Sequence, residues 1–138
     1  MNIRAATTHD VDDIVELWHK GGVDHDADQD RQEIVAKLDV DGDLFLVAHT
    51  DGGALVGSIM GTYDGHRGRI KRAVVDPDHR GAGLGRGLVT ELEQRFLDRG
   101  ITELRLEVWA SNTGALAFWN EMGWEHLEDI RYFTRSLG

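Results

Sequence analysis

Cysteine is absent from this chain of 138 residues. Its absence excludes disulfides, thiolate metal sites, iron–sulfur clusters and a cysteine nucleophile. The sequence also lacks any apolar run near the roughly 20 residues that a membrane-spanning helix needs. Residues 1–6 do not form the long apolar stretch of a signal peptide, so we expect a cytoplasmic protein.

Basic residues are scarce relative to acidic ones, 15 against 25, which gives a formal net charge of −10. Because an acidic field repels phosphate groups, we expect neither nucleic acid nor an anionic membrane as a partner. The acidic balance is typical either of genome-wide composition or of a protein with a cationic substrate. A composition of 41% hydrophobic and 29% charged residues is that of a folded protein. At this length we expect one domain, residues 1–138.

Apolar periodicity predicts a mixed α/β fold. A short first strand is followed by two amphipathic helices, of which the first ends at Gly21-Gly22. The later strands are predicted at residues 44–48, 54–63, 69–75 and 104–108. Further helices are predicted after the glycine-rich stretch and at 113–121, and the apolar tail after Gly123 predicts one or two closing strands. The predicted order is β-α-α-β-β-β-α-β-α-β, with the last strand single or split.

Four alternating glycines lie between a predicted strand and a predicted helix. They are Gly81, Gly83, Gly85 and Gly87. Glycine lets a ligand approach the backbone closely, and the free N–H groups at the start of a helix form an anion site. A diphosphate fits such a site, although a flexible turn before a tightly packed helix would have the same sequence.

Spacing excludes two common phosphate-binding motifs. A dinucleotide fingerprint needs a third glycine where this sequence has Arg86 or Leu88, and a Walker A loop needs a Gly-Lys-Ser/Thr that the sequence lacks. The remaining motif is Arg80-Gly81-Ala82-Gly83-Leu84-Gly85, preceded by Val75-Asp76-Pro77. It resembles motif A of the GNAT superfamily of acyl-CoA-dependent N-acyltransferases.

A second segment resembles the same superfamily. Residues 104–112 (LRLEVWASN) are followed by Ala115, Phe118-Trp119 and Gly123-Trp124. The LEV before SN is similar to the ribosomal-protein N-terminal acetyltransferase branch, and residues 61–68 (GTYDGHRG) resemble a bacterial subgroup of poorly defined substrate. The resemblance covers essentially the whole chain. It implies the GNAT fold, a mixed, mostly antiparallel sheet flanked by about four helices.

The resemblance implies acetyl-CoA as the acyl donor. Main-chain amides of the glycine-rich loop would hold the diphosphate, and the preceding strand end would pair with the pantetheine arm and point an amide at the thioester oxygen. Asn112 would contact the pantetheine or the CoA tail, or only cap its helix. The implied cofactor-binding residues are Ala73, Val74, Val75, Arg80, Gly81, Ala82, Gly83, Leu84, Gly85, Arg86 and Asn112.

The implied reaction is the direct attack of an amine on a thioester. Since an aliphatic amine has a pKa near 10, only about one molecule in a thousand is free base at neutral pH, and a base must remove a proton. By the resemblance this base is Glu107, on a strand where Arg105 shares its face. An exposed glutamate paired with an arginine would have the same pattern. Asp64 and His66, in the turn before the cofactor strand, are rival bases.

Trp119 stands where the superfamily usually has a tyrosine that protonates the leaving thiolate. An indole N–H does not ionise near neutral pH. The acid step is therefore unassisted, or depends on water, Tyr63 or Tyr132. We interpret Trp119 as a packing residue.

Two aspartate patterns, DHDAD at residues 24–28 and DVDGD at 39–43, look like calcium loops but lack the glycine at the sixth position. The seven histidines contain no His-x-x-x-His pair. We therefore predict no metal site. The acidic segment 24–30 is interpreted either as a solvated loop or as a surface that attracts a cationic amine.

The sequence thus predicts an N-acetyltransferase that passes the acetyl group of acetyl-CoA directly to a primary amine in a ternary complex. The alternatives are a non-catalytic acyl-CoA-binding or sensing module, and a nucleotide-binding domain that uses the same loop. The acceptor is open among protein N-termini, lysines, polyamines, antibiotics and small metabolites. The oligomeric state is open too, with a homodimer as one option.

Overall fold

The computed structural model describes residues 1–23 and 26–138. Asp24 and His25, and with them part of the acidic segment 24–30 and of the first aspartate pattern, lie outside the described residues. The described chain divides into two compact units, Met1–Glu107 and Val108–Gly138. The single domain over residues 1–138 stays a prediction.

The helices and strands follow the predicted order up to the last helix. Their bounds are β1 Asn2–Ala5, α1 Val11–Lys20, α2 Ala27–Asp41, β2 Phe45–His49, β3 Leu55–Tyr63, β4 Gly68–Val75, α3 Leu84–Asp98, β5 Leu104–Arg105 and α4 Thr113–Glu121. Of these, α4 alone belongs to the second unit.

The five strands of the first unit form one sheet in the order β1-β2-β3-β4-β5. The first four are antiparallel neighbours, and β5 joins β4 in parallel. A parallel neighbour needs a crossover connection, which α3 supplies. The prediction of a mixed, mostly antiparallel sheet is confirmed.

Helices α1 and α2 pack on apolar side chains of the sheet, and α3 packs where the sheet carries glycines. Trp18 of α1 and Ile34 of α2 are fully buried with Phe45 and Val47 of β2. Elsewhere β3 carries glycine where α3 approaches: a Cβ added to Gly61 would lie 2.6 Å from the ring of Phe96. Glycine is therefore what lets α3 pack closely on β3.

The end of the chain differs from the prediction. Residues 124–138, all of them described, contain no strand where one or two closing strands were expected. Tyr132 and Phe133 are 70% and 90% exposed. A strand needs a neighbour for its N–H and C=O groups, and alternating apolar residues do not supply one. The strand predicted over 104–108 is likewise shorter, with only Leu104–Arg105 paired among the described residues.

Candidate functional site

The glycine-rich loop connects the end of β4 to the start of α3. Gly81 and Gly83 have φ angles of 87° and 79°, in the left-handed region that favours glycine. Gly83 is the N-cap of α3, and no described side chain caps this helix. The amide of Gly87 bonds to the Gly83 carbonyl at 3.0 Å. The amides of residues 84–86, in the first turn, thus have no carbonyl within the helix to accept them.

The surface around these amides suits an anion. Within the described part of the chain, a Cβ added to Gly81 or Gly83 would meet no atom within 4 Å. Arg80 and Arg86 are exposed on either side of the loop. Two cations, the free amides and the positive end of the helix dipole together favour a negatively charged ligand, despite the acidic balance of the whole chain.

A buried aspartate fixes the entry to this loop. Asp76 is 5% exposed and accepts a hydrogen bond at 2.8 Å from Nζ of Lys20, at the end of α1. Its other carboxylate oxygen accepts from the amide of Asp78 at 2.9 Å. The hydrogen bond from Lys20 is the main reason that the pKa of Asp76 lies below its usual value. The role of Lys20 was not predicted from the sequence. Asp76, which stands before the only proline, was the residue that indicated a capped turn.

One edge of β4 has no strand partner near the loop among the described residues. Val74 is paired with Ser58 of β3, and the amide of Asp76 donates to the Val56 carbonyl at 2.8 Å. Strand alternation therefore turns the amide of Val75 to the opposite edge. There β5 pairs with β4 through just Gly68 and Arg69 in the described structure. Ala73 has no paired residue in β3.

The predicted strand end thus divides into two kinds of residue. The backbone of Val74 serves the sheet and its side chain is buried in the core. Ala73 is exposed, and Val75 is half-buried with its carbonyl accepting from Nε of Arg80 at 3.3 Å. Of the three residues, Val75 presents its amide to this edge, and Ala73 is exposed without a paired residue in β3.

Arg72 and Ala73 form a bulge in β4. Met60 is paired with Lys71 while Ser58 is paired with Val74, so β4 has one residue more than β3 between the two pairs. Arg72, within the bulge, has a φ of 53°. This left-handed conformation costs an arginine about 1–3 kcal/mol. Sequence analysis missed the bulge, because no residue here favours a positive φ.

Glu107 is an exposed, ion-paired glutamate. Its Oε2 lies 2.9 Å from Nε and 2.6 Å from Nη2 of Arg69 on β4. Arg105 and Glu107 are exposed while Leu104 and Leu106 are half-buried, as the predicted alternation requires. The partner is thus an arginine of the neighbouring strand rather than Arg105.

The rival base Asp64 is occupied in a turn. Its Oδ1 accepts hydrogen bonds from the amides of His66 and Arg67, both at 2.8 Å. The bond from Arg67, followed by that from His66, lowers the pKa of Asp64. A carboxylate with a lowered pKa is a weaker base, which counts against Asp64 as the base.

In the second unit, two predicted residues have local roles. Oδ1 of Asn112 accepts from the amide of Ala115 at 3.1 Å and caps α4. The ring of Trp119 makes edge contacts with the rings of Phe118 and Trp124, with ring centroids 5.1 Å and 5.0 Å apart. The packing interpretation of Trp119 agrees with this aromatic cluster.

No group of three or more histidine, aspartate or glutamate side chains within residues 1–23 and 26–138 is placed to hold a metal ion. Over the same residues, no helix combines the length and the apolar character needed to cross a membrane.

Known proteins resemble this chain over most of its length. The family model described as Acetyltransferase (GNAT) family matches residues 8–124. Acetyltransferase SG1711 of Sodalis glossinidius (strain morsitans) is 34% identical over 137 residues, which are 99% of this chain and 96% of the relative.

Solved structures share the fold at lower identity. The apo aminoglycoside 6'-N-acetyltransferase AAC(6')-IG from Acinetobacter haemolyticus has a TM-score of 0.82 at 21% identity, over 100% of both chains. The PaiA N-acetyltransferase of Thermoplasma acidophilum, in complex with coenzyme A, has a TM-score of 0.78 at 22% identity, over 94% of this chain and 92% of that one.

Replacing Lys20 by methionine should raise the pKa of Asp76, because it removes the main cause of the lowered value. A carboxylate with a lowered pKa in the folded state stabilises the protein above its unfolded pKa, and this stability is lost as the pH falls below it. In Lys20→Met this acid-dependent loss of stability should be smaller, because the folded-state pKa of Asp76 moves toward the unfolded-state pKa, which the substitution does not change. The measurement is an NMR titration of the Asp76 carboxyl carbon.

Lys71→Met is the matched control, since Lys71 pairs with Glu33 at 3.2 Å and not with Asp76. It should leave the Asp76 titration where it is in the unmodified protein. An identical Asp76 midpoint in Lys20→Met and the unmodified protein would contradict the assignment.

Proposed function

This chain belongs to the GNAT family of acetyltransferases, and from that premise we propose that it passes the acetyl group of acetyl-CoA directly to an amine. The observation that carries the proposal is the uncapped start of α3, which opens on two left-handed glycines. Backbone donors that no described side chain caps, near two exposed arginines in the sequence, suit the diphosphate of CoA.

The loop residues have distinct roles in this proposal. The amides of Leu84, Gly85 and Arg86 donate to the diphosphate, and the missing side chains of Gly81 and Gly83 let it approach. The remaining loop residues, Arg80 and Ala82, lie on the same exposed surface. The side chain of Leu84 is buried, so its contribution is the amide alone.

The pantetheine arm is proposed to add as a strand to the open edge of β4. Ala73 and Val75 would supply the backbone groups, and one of their amides would point at the thioester oxygen. Charge develops on that oxygen during attack, and one such donor contributes about 3 kcal/mol to catalysis. The backbone of Val74 pairs with β3, so Val74 would support the edge without contacting the pantetheine arm. For Asn112, the contact with CoA stays a prediction from the resemblance.

The chemistry needs a proton acceptor near the attacking amine. The amine nitrogen bonds to the thioester carbon, the carbon–sulfur bond breaks, and the thiolate of CoA leaves. We assign Glu107 as the base that takes the amine's proton, directly or through water. Arg69 is ion-paired with this carboxylate and holds it beside β4.

A cationic acceptor fits the charge of the protein, since a net charge of −10 attracts a protonated amine. The class of amine stays open, as do the homodimer and the cytoplasmic location.

Gly83→Ala should weaken CoA binding about tenfold or more. An alanine at φ 79° is strained, so the start of α3 would shift and its amides would turn away from a common acceptor. Isothermal calorimetry with CoA measures the change.

Gly53→Ala is the matched control, because Gly53 also has a positive φ, 93°, and also no described atom within 4 Å of an added Cβ. It carries the same backbone strain in the turn between β2 and β3. An equal loss of affinity in both variants, or none in Gly83→Ala, would contradict the diphosphate site.

Glu107→Gln should lower turnover about tenfold or more and leave CoA affinity nearly unchanged, because a neutral amide cannot take the proton. The assay is thiol release from acetyl-CoA over a panel of amine classes, with mass analysis of the product. Glu103→Gln, a change of the same kind at an exposed glutamate, is the control.

Unchanged turnover in Glu107→Gln would overturn the base assignment. CoA binding without thiol release for any amine class would contradict the transferase itself and favour the sensing module.

A further inference from the structure

The bulge in β4 is held by side chains from α1, α2 and β3. We define the bulge clamp as Trp18, Glu33, Ser58 and Arg72. Trp18 and Ser58 are fully buried. Arg72 and Glu33 are each 24% exposed at the side chain. Within the clamp, Glu33 and Trp18 contact the guanidinium of Arg72, and Ser58 contacts its carbonyl.

The guanidinium is fixed in direction. Nη2 of Arg72 donates to Oε1 of Glu33 at 2.9 Å, and Nε lies 3.4 Å from Oε2. Such a two-pronged contact sets the orientation of the group as well as its position. The same group lies 4.6 Å from the ring centroid of Trp18, in cation–π contact.

The carboxylate of Glu33 is kept ionised for this contact. Burial alone would raise the pKa of Glu33, but the hydrogen bond from Arg72 and the charge of Lys71 outweigh it and lower the pKa. Asp30 adds a second negative charge 3.8 Å from the Arg72 guanidinium.

The carbonyl of Arg72 is held by the hydroxyl of Ser58. Nε1 of Trp18 donates to the hydroxyl oxygen of Ser58 at 3.0 Å, and that hydroxyl lies 3.4 Å from the Arg72 carbonyl. Because an indole only donates, the Ser58 hydroxyl is left to donate its own proton to the carbonyl. The peptide that joins Arg72 to Ala73 is thereby fixed in orientation.

This peptide carries the amide of Ala73. An arginine at φ 53° gains by relaxing to an ordinary strand conformation, and such a relaxation would rotate the peptide. Resting on the function proposed above, we propose that the bulge clamp aims the Ala73 amide at the thioester oxygen. Arg72 and Glu33 are then positioning residues for acetyl transfer.

The test uses acetyl-CoA labelled with carbon-13 at the thioester carbonyl. A hydrogen bond to that oxygen lowers the infrared stretching frequency, so the unmodified protein should shift the band on binding. Glu33→Gln and Arg72→Gly should lose at least about half of the shift and about tenfold or more in turnover. Their affinity for CoA should change less than about threefold, because the diphosphate loop is intact.

Two further variants keep the result interpretable. Ser58→Ala removes the carbonyl contact and leaves the guanidinium contacts, so it serves if Arg72→Gly fails to fold. Glu91→Gln is the matched control, because Glu91 is paired with Arg95 at 3.1 Å within α3. It should leave both the band and the turnover unchanged. Thermal unfolding of every variant identifies changes in stability.

The outcomes separate the two proposals. No CoA binding by the unmodified protein overturns the proposed function. CoA binding with an unshifted carbonyl band, or with a band that Glu33→Gln and Ser58→Ala leave unchanged, overturns the clamp alone. A simultaneous loss of CoA affinity and of the band shift in the variants would mean a general structural role and would also overturn it.

Discussion

The amides at the start of α3 need an acceptor that the helix does not provide, and the site is built around this need. Gly83 occupies the N-cap, where serine, threonine, asparagine or aspartate would satisfy them, and glycine has no side chain to do so. Water or a bound anion is therefore left to accept from these amides, and we propose that the diphosphate of CoA does so. Asp76 and Lys20 fix the turn that leads to this helix, and the close packing of α3 on the glycines of β3 fixes the helix behind it.

The second constraint is that the two edges of β4 differ in their partners. One edge pairs with β3, and the other is left open beyond Arg69 because β5 is so short in the described structure. An open edge close to an anion site suits a ligand with a charged end and an amide-bearing arm. The bulge at Arg72 comes before the loop in β4, and we propose that it sets the direction of the Ala73 amide.

Local patterns predicted what depends on local physics. The alternating glycines predicted the loop between β4 and α3, and the alternation of residues 104–107 predicted that Arg105 and Glu107 share a face. The pairs Lys20–Asp76 and Arg69–Glu107 join residues 56 and 38 positions apart, so they depend on the topology of the sheet. The prediction of closing strands was wrong for the same reason: whether a strand finds a neighbour depends on the rest of the sheet and not on its own residues.

The central claim is that the first-turn amides of α3 bind the diphosphate of CoA. Amide proton–nitrogen NMR spectra of the labelled protein, recorded during titration with CoA, test it directly. The account predicts that the signals of residues 81–86 shift most and saturate together, with downfield proton shifts for residues 84–86. Saturating shifts elsewhere, with these signals unmoved, would contradict it.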